Sequence, residues 1–172
     1  MHETVAKWLF EQFSELAPLG ARVIEFGAQD INGAARNCVP PIYKTWFGVD
    51  RVDGNGVDQV GDCAAEVYLP GTWDVAVCTN VLEHDYRWRS IVVNLIRHVK
   101  DGGVVLIQCP GPGFTPHSGR VEGPLQEGEY YANVSAAEIE HIVRAIRPPV
   151  TILQAEQGGW CGTLDSFVVL RK

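Results

Sequence analysis

The spacing of apolar residues changes several times along the chain. From Thr4 to Leu16 they fall at Val5, Trp8, Leu9, Phe13 and Leu16, the three-and-four spacing of a helix buried along one face. Arg22 to Phe26 is a short apolar run closed by Gly27 and predicts a strand. Ile31 to Asn37 suits one or two helical turns, stopped by Pro40-Pro41. Trp46 to Val49 and Val57 to Val60 predict a second and a third strand. Trp73 to Thr79 predicts a fourth, with alternation weak enough to suggest burial on both faces. Arg87 to Val99 returns to the helical period, with Ile91, Leu95 and Val99 inward and a basic, glycine-stopped end at Lys100-Asp101-Gly102-Gly103. Val104 to Gln108 is a fifth strand. Ser135 to Ile146 reads as a helix whose N-cap serine has Glu138 three residues on, a capping box, with Pro148-Pro149 as its stop. Val150 to Glu156 and Ser166 to Leu170 are the final strands, joined by a Gly-rich turn.

Strands alternating with helices, then a closing hairpin-like pair, describe an open, mostly parallel α/β sheet with one antiparallel edge strand. A chain of 172 residues fits one domain spanning 1–172. In such sheets ligands bind outside the carboxyl ends of the strands. The chemistry is therefore expected just after Phe26, Val49, Val60, Thr79 and Gln108. One connection is unusual: Cys109 to Glu129 is rich in Pro and Gly and reads as a long loop, which inside a compact domain is often functional.

Charge narrows the partners. Fourteen basic residues face 21 acidic ones, a net charge of −7, and an acidic domain repels phosphate backbones unless it carries a basic stripe. Arg87-Trp88-Arg89 is too short to be one, so duplex nucleic acid is not an expected partner, whereas a nucleoside or short loop stays open. No apolar run is long enough to span a bilayer, and Met1-His2-Glu3 does not begin a basic-then-apolar signal segment. A cytoplasmic protein is the expectation. The cysteines (Cys38, Cys63, Cys78, Cys109 and Cys161) are odd in number and form no C-x-x-C pair, which argues against a disulfide framework and a structural zinc site.

At the first strand end stands Glu25-Phe26-Gly27-Ala28-Gln29. Gly27 permits a tight turn and lets a ligand approach backbone N–H groups at the start of the following helix. A dinucleotide fingerprint needs glycines two and five residues further on, where Gln29 and Asn32 stand, and the phosphate-loop pattern is absent too. The turn suits an adenosyl ligand without pyrophosphate. The second strand ends in Asp50, 23 residues after Gly27, placed to accept both hydroxyls of a ribose, with Arg51 next to it. The third ends in Gly61-Asp62-Cys63, where Asp62 could take the exocyclic amine of adenine or cap the turn that follows. The fourth ends in Thr79-Asn80-Val81-Leu82-Glu83-His84.

Glu25-Phe26-Gly27 resembles motif I of class I S-adenosylmethionine-dependent methyltransferases, and Gly48-Val49-Asp50 resembles their second-strand acidic motif. The run from Trp73-Asp74-Val75 through Val81-Leu82-Glu83-His84 to Lys100-Asp101-Gly102-Gly103 is similar to the subgroup related to ubiquinone-biosynthesis and methyltransferase 11 enzymes. The resemblance runs from about Arg22 to Leu170. It departs where Gln29 and Ile31 replace the later motif I glycines and Asp101 replaces a proline. It implies a Rossmann-like, mostly parallel seven-stranded sheet with an antiparallel terminal strand and helices on both faces. It also implies an S-adenosylmethionine cofactor held by Glu25, Gly27, Ala28 and Gln29, by Asp50 and Arg51, by Asp62 and Cys63, and by Asn80 and Val81.

Methyl transfer is a direct displacement, so a base is needed only if the acceptor must lose a proton during attack. The candidates are His84 and His117, with Tyr130 and Tyr131 lining an acceptor pocket. A small-molecule acceptor is expected. Cys78-Thr79 and Cys109-Pro110 could instead supply a nucleophile of the cytosine-methylating kind, which the acidic charge opposes. Asp50, His84, Asp85 and His117 have no telling ligand spacing, so no metal is expected. Two rival functions are a non-catalytic cofactor-binding or interaction module on the same fold and a nucleotide-dependent oxidoreductase, the latter opposed by the glycine spacing.

Overall fold

The computed structural model of the chain describes residues 2–172 apart from 32, 41, 44 and 159–163. Its centre is a sheet of seven strands: β1 (Arg22–Phe26), β2 (Thr45–Asp50), β3 (Gln59–Val60), β4 (Trp73–Thr79), β5 (Val99–Pro110), β6 (Thr151–Gln157) and β7 (Asp165–Arg171). They lie in the order β3-β2-β1-β4-β5-β7-β6. The first five are parallel to one another, and β7 runs antiparallel to both β5 and β6. The antiparallel strand is thus the chain's last, as expected, but it inserts beside β5 and leaves β6 at the edge.

Both faces of the central strands are buried, and residue parity decides which helix each side chain meets. Val23, Val75, Val77, Val104, Leu106, Phe167 and Val169 pack with Val5, Trp8, Leu9 and Phe13 of α1 (Glu3–Leu16). Their neighbours Ile24, Ala76, Cys78, Val105, Ile107, Val168 and Leu170 point the other way. There they meet Ile91 and Leu95 of α2 (Trp88–His98) and Ile139 and Val143 of α3 (Ala136–Ala145). A strand apolar at every position is what two such faces require. Sheet and helix layers therefore form one three-layer core, and no helix among the described residues is long and apolar enough to cross a membrane.

Local signals set the helix ends. The Ser135 hydroxyl accepts from the Glu138 amide while the Glu138 carboxylate accepts from the Ser135 amide, the reciprocal box read from the sequence. In α1 the imidazole of His2 accepts from the Thr4 amide.

Three elements differ from the sequence reading. The connection after β1 forms a single 3-10 turn, Ala35–Cys38, in place of helical turns over 31–37; Asn32 and Pro41 lie outside the described residues. Asp30 Oδ1 accepts from the Gly33 amide and Glu25 Oε1 from the Ala35 amide, which hold the chain in an irregular course. The strand expected over 57–60 is reduced to two residues at an exposed edge, where Val57 is taken into a turn by its bond to the Gly54 carbonyl. β5 starts earlier than expected: Val99 already pairs with Trp73, residues 100–103 bulge out, and pairing with β4 resumes at Val104. The bulge is held from afar, because the Gly102 amide donates to the Lys172 carbonyl and the Lys172 amide to Gly103. The turn between β6 and β7 falls partly within 159–163, as does Cys161, so these lie outside the described residues.

Replacing Ser135 by Ala removes the cap and leaves the Glu138 amide only its bond to the Ser135 carbonyl. We expect a loss of about 1 kcal/mol in urea unfolding, with an unchanged slope against denaturant.

Candidate functional site

The exits of β1, β2 and β4 border a cleft of about 1580 Å³. Glu25 and Gly27, Gln29, Asp50 and Arg51, and Asn80 and Val81 line it, with Cys63 at one side. The wall opposite these strand ends is built by His84, Phe114, His117 and Tyr130. The residues singled out from β1, β2 and β4 thus meet in one place, as a strand-end site requires.

Gly27 has φ +77°, and a Cβ there would lie 2.0 Å from Cγ2 of Val81. Backbone sign and close approach both demand glycine. The next N–H groups are not free for a ligand: Gly27 and Ala28 donate to the Val49 carbonyl, Gln29 to Asp50 Oδ2, and Asp30 to the Asn55 carbonyl. The expected helix N-terminus does not follow Gly27, so this turn presents side chains and carboxylate edges to the cleft. Ala28 is buried and is not among the lining residues.

Asp50 Oδ2 accepts from the Gln29 amide at 3.0 Å and Oδ1 from the Val52 amide at 3.1 Å. Two backbone donors use half of a carboxylate's acceptor capacity and fix its plane at the cleft, leaving lone pairs for two hydroxyls of a ligand. Asp62 lies differently from what was expected of an adenine contact. Its carboxylate takes a bidentate pair from Arg87 at 2.7 and 3.1 Å and caps the turn at Ala64, and it does not line the cleft. Arg87 also holds Asp85, and Arg51 bonds Asp85 and lies 3.9 Å from Asp62, closing a four-membered ionic ring. The sequence reading weighed Asp85 only as a metal ligand and Arg87 only as part of a basic stretch, and did not pair them; the local signal was Arg87 two residues after an aspartate at the start of a helix. Cys63 is buried, its thiol pushed up to about 12 by burial. Burial likewise raises Cys78 and Cys109 far above the ordinary range, so neither is an activated nucleophile.

Asn80 turns the chain at φ +55°, a conformation asparagine tolerates, and its amide donates to the Gln108 carbonyl. A 3-10 turn, Leu82–His84, follows. Leu82 enters the core, Glu83 is fully buried and His84 reaches the cleft. Burial, with His117 adjacent, holds His84 down to about 4, so it is a neutral imidazole at neutral pH. Burial pushes Glu83 up to about 8, with Asp165 adding to the rise. The 3.5 Å approach of His84 Nε2 to Glu83 Oε1 is therefore not an ion pair at neutral pH.

The long loop folds over this corner. Ser118 accepts from the Arg120 and Val121 amides and donates to Glu129, which in turn accepts from the Gln126 amide. Asn133 pins the Phe114 carbonyl, and His117 bridges to Pro124. The flap carries His117 to His84, with ring centroids 5.1 Å apart. Tyr131 packs behind the pair, 5.5 and 5.1 Å from the two rings, off the cleft lining and with its buried hydroxyl unpaired among the described residues. Tyr130 is half-exposed at the mouth beside Tyr86, their rings 6.3 Å apart. Glu83, His84 and His117 together offer one ligand atom each within 4.8 Å of one another, a grouping the sequence reading did not assemble.

A methyltransferase-domain family model matches residues 1–148, and no curated protein sequence matches the chain. Solved structures share the fold at low identity. An S-adenosylmethionine-dependent methyltransferase from Mesorhizobium loti is 13% identical over 97% of this chain and 98% of its own, with a TM-score of 0.66. The 1,6-didemethyltoxoflavin-N1-methyltransferase of Burkholderia thailandensis, whose structure holds 1,6-didemethyltoxoflavin and S-adenosylhomocysteine, is 10% identical over 99% and 77%, also at 0.66. The chain belongs to the methyltransferase-domain family. Its fold is that of these S-adenosylmethionine-dependent methyltransferases.

Glu25 gives the site a pH signature. Its oxygens accept from the Ala35 amide and the Trp46 indole, but burial outweighs these donors and raises the group to about 7. A folded-state pKa above the unfolded one contributes stability that is full below about 4.5 and lost as pH rises through about 7. The displacement corresponds to on the order of 3 kcal/mol. Unfolding free energies measured in urea at pH 5 and 8.5 should fall between the two for the wild type and fall less for Glu25→Gln. Parallel slopes would show that Glu25 does not titrate in this range.

Proposed function

We propose that the protein transfers a methyl group from S-adenosylmethionine to a small-molecule acceptor held under the 111–129 flap. The observation that carries this reading is the meeting of Asp50, Gly27 and Asn80 with His84 and His117 across one cleft. The cofactor fits the donor set: a fixed carboxylate with spare lone pairs at the edge of the cleft suits ribose hydroxyls. When bound, it supplies an electrophilic methyl on a sulfonium, and displacement depends on alignment. Asp50 orients the adenosyl end, and Arg51 and Asn80 flank the cleft on either side of it. Glu25 sits at the floor as a buried acceptor.

The acceptor end is formed by His84, His117, Phe114 and Tyr130, an apolar and aromatic wall with two imidazoles. A wall built from one short flap suits a small flat molecule. The Burkholderia neighbour acts on such a compound, which supports this reading. The Leu82-Glu83-His84 segment supports kinship with the methyltransferase 11 subgroup. A net charge of −7, with Arg36, Arg51 and Arg87 all engaged by carboxylates, weighs against a duplex.

Two measurements test this. Asp50→Ala should weaken S-adenosylhomocysteine at least about tenfold by calorimetry, since hydrogen bonds to a charged group contribute on the order of 1.5–3 kcal/mol. Unchanged affinity would remove Asp50 from the site. Label from methyl-tritiated S-adenosylmethionine, incubated with fractionated cell extract, should enter low-molecular-weight material, and His117→Ala should lower that transfer while cofactor affinity holds. Label in nucleic acid would refute the small-molecule acceptor.

A further inference from the structure

Glu83 is wholly buried, and neither carboxylate oxygen has a hydrogen-bond partner among the described residues. Buried polar atoms without a partner are costly and call for one. Two imidazole nitrogens approach the same oxygen, Oε1: His84 Nε2 at 3.5 Å and His117 Nε2 at 3.9 Å. These distances are too long for good hydrogen bonds, and the three atoms lie within 4.8 Å of one another without bonding.

We propose that Glu83, His84 and His117 form a binding site for a late first-row divalent cation of the zinc class, with its open coordination position facing the cleft. Metal–ligand bonds of roughly 2.0–2.2 Å in a tetrahedral site separate the ligand atoms by roughly 3.3–3.6 Å. The two Glu83–imidazole approaches of 3.5 and 3.9 Å are close to this spacing, and all three ligand atoms lie within 4.8 Å of one another, so the flap that carries His117 needs to draw in on the other two. One imidazole is already oriented. His117 Nδ1 lies 3.3 Å from the Thr115 carbonyl, which can only accept, so the ring proton sits on Nδ1 and Nε2 turns its lone pair toward Glu83. Such a second hydrogen bond is how metal-binding histidines are held. His84 is clamped from the other side, where the flap passes so close that a Cβ on Gly119 would lie 2.8 Å from its ring. Two nitrogens and one carboxylate favour zinc, cobalt or nickel over magnesium and calcium, which take oxygen ligands. Both histidines line the cleft, whereas Glu83 lies behind them, so the free position opens toward the acceptor end. There it could hold an acceptor oxygen or nitrogen; that role, unlike the metal site, rests on the methyl-transfer reading.

The test uses tag-free full-length protein, stripped with chelator and titrated without cofactor. Cobalt(II) should bind one per chain with a visible d–d band of a four- or five-coordinate site, and zinc should displace it. His117→Ala and Glu83→Gln should each weaken binding at least about tenfold, since losing even the groups that orient a ligand costs 10–100-fold. His141→Ala, on the exposed side of α3, should bind as the wild type does. S-adenosylhomocysteine binding by His117→Ala reports that the fold is intact and tests the cofactor site separately from the metal. No stoichiometric cobalt or zinc, binding equal in all variants, or a response to magnesium alone would overturn the proposal.

Discussion

The contact between Val81 and the backbone of Gly27 sets the geometry of the whole cleft. β1 and β4 are neighbours in the sheet, and beyond their ends the Val81 side chain occupies the space a Cβ at residue 27 would need. The chain leaving β4 therefore crosses close over the end of β1. It turns at Asn80 and enters a short helical turn that sends Leu82 inward and His84 outward. The chain leaving β1 is pressed toward β2, where the Val49 carbonyl and the Asp50 carboxylate take its first three amides. A larger residue at position 27 would part these two loops. The Asp50 carboxylate and the two histidines would then lose their common frame.

Charge in this protein is organised inward at the strand ends. Arg36 bonds the Gly56 carbonyl and Asp58, Arg51 pairs with Asp85, and Arg87 spans Asp62 and Asp85. Each of these arginines lies near the loops that follow β1, β2 and β4, where backbone irregularity gives fewer ladder bonds. Guanidinium forks suit this work, because one planar group can fix two carboxylates from different segments. The same use explains why a short basic stretch such as Arg87-Trp88-Arg89 makes no nucleic-acid surface. Arg87 faces aspartates, and Arg89 lies over the Trp88 ring.

The sequence foretold what depends on local period and local chemistry. The α1 face at Val5, Trp8, Leu9 and Phe13, the two-sided burial of β4 and the capping box of Ser135 and Glu138 are all visible in short windows, and all are present. What was hidden depends on distant chain. The early start of β5 needs Lys172 to satisfy the bulge, and the lost helix after β1 depends on Glu25 reaching the Ala35 amide. In the site, Asp50, Asn80 and His84 could be named because strand ends could be named. Asp62 was expected at a ligand but is held by Arg87, a partner 25 residues away that no spacing rule links to it. Glu83 went unassigned because one position in a short helical turn carries no sign of its burial.

Two of the buried acidic groups near the cleft, Glu25 and Glu83, differ in a way that separates folding from function. Glu25 receives the Trp46 indole, the Ala35 amide and the nearby charge of Arg36, so the folded chain itself offsets part of its desolvation. It ties β1 to β2 and to the connection between them, and a structural role accounts for it. Glu83 receives nothing comparable. Its backbone carbonyl holds the Ala132 amide, but its carboxylate is left to two imidazoles beyond bonding distance. Local rules of packing and polar satisfaction are met through most of this core, and departures from such consistency concentrate at functional sites. Among the described residues no hydrogen-bond donor reaches the Glu83 carboxyl. The proposed cation would supply that partner from the cleft, between His84 and His117, where the flap and the β4 exit meet.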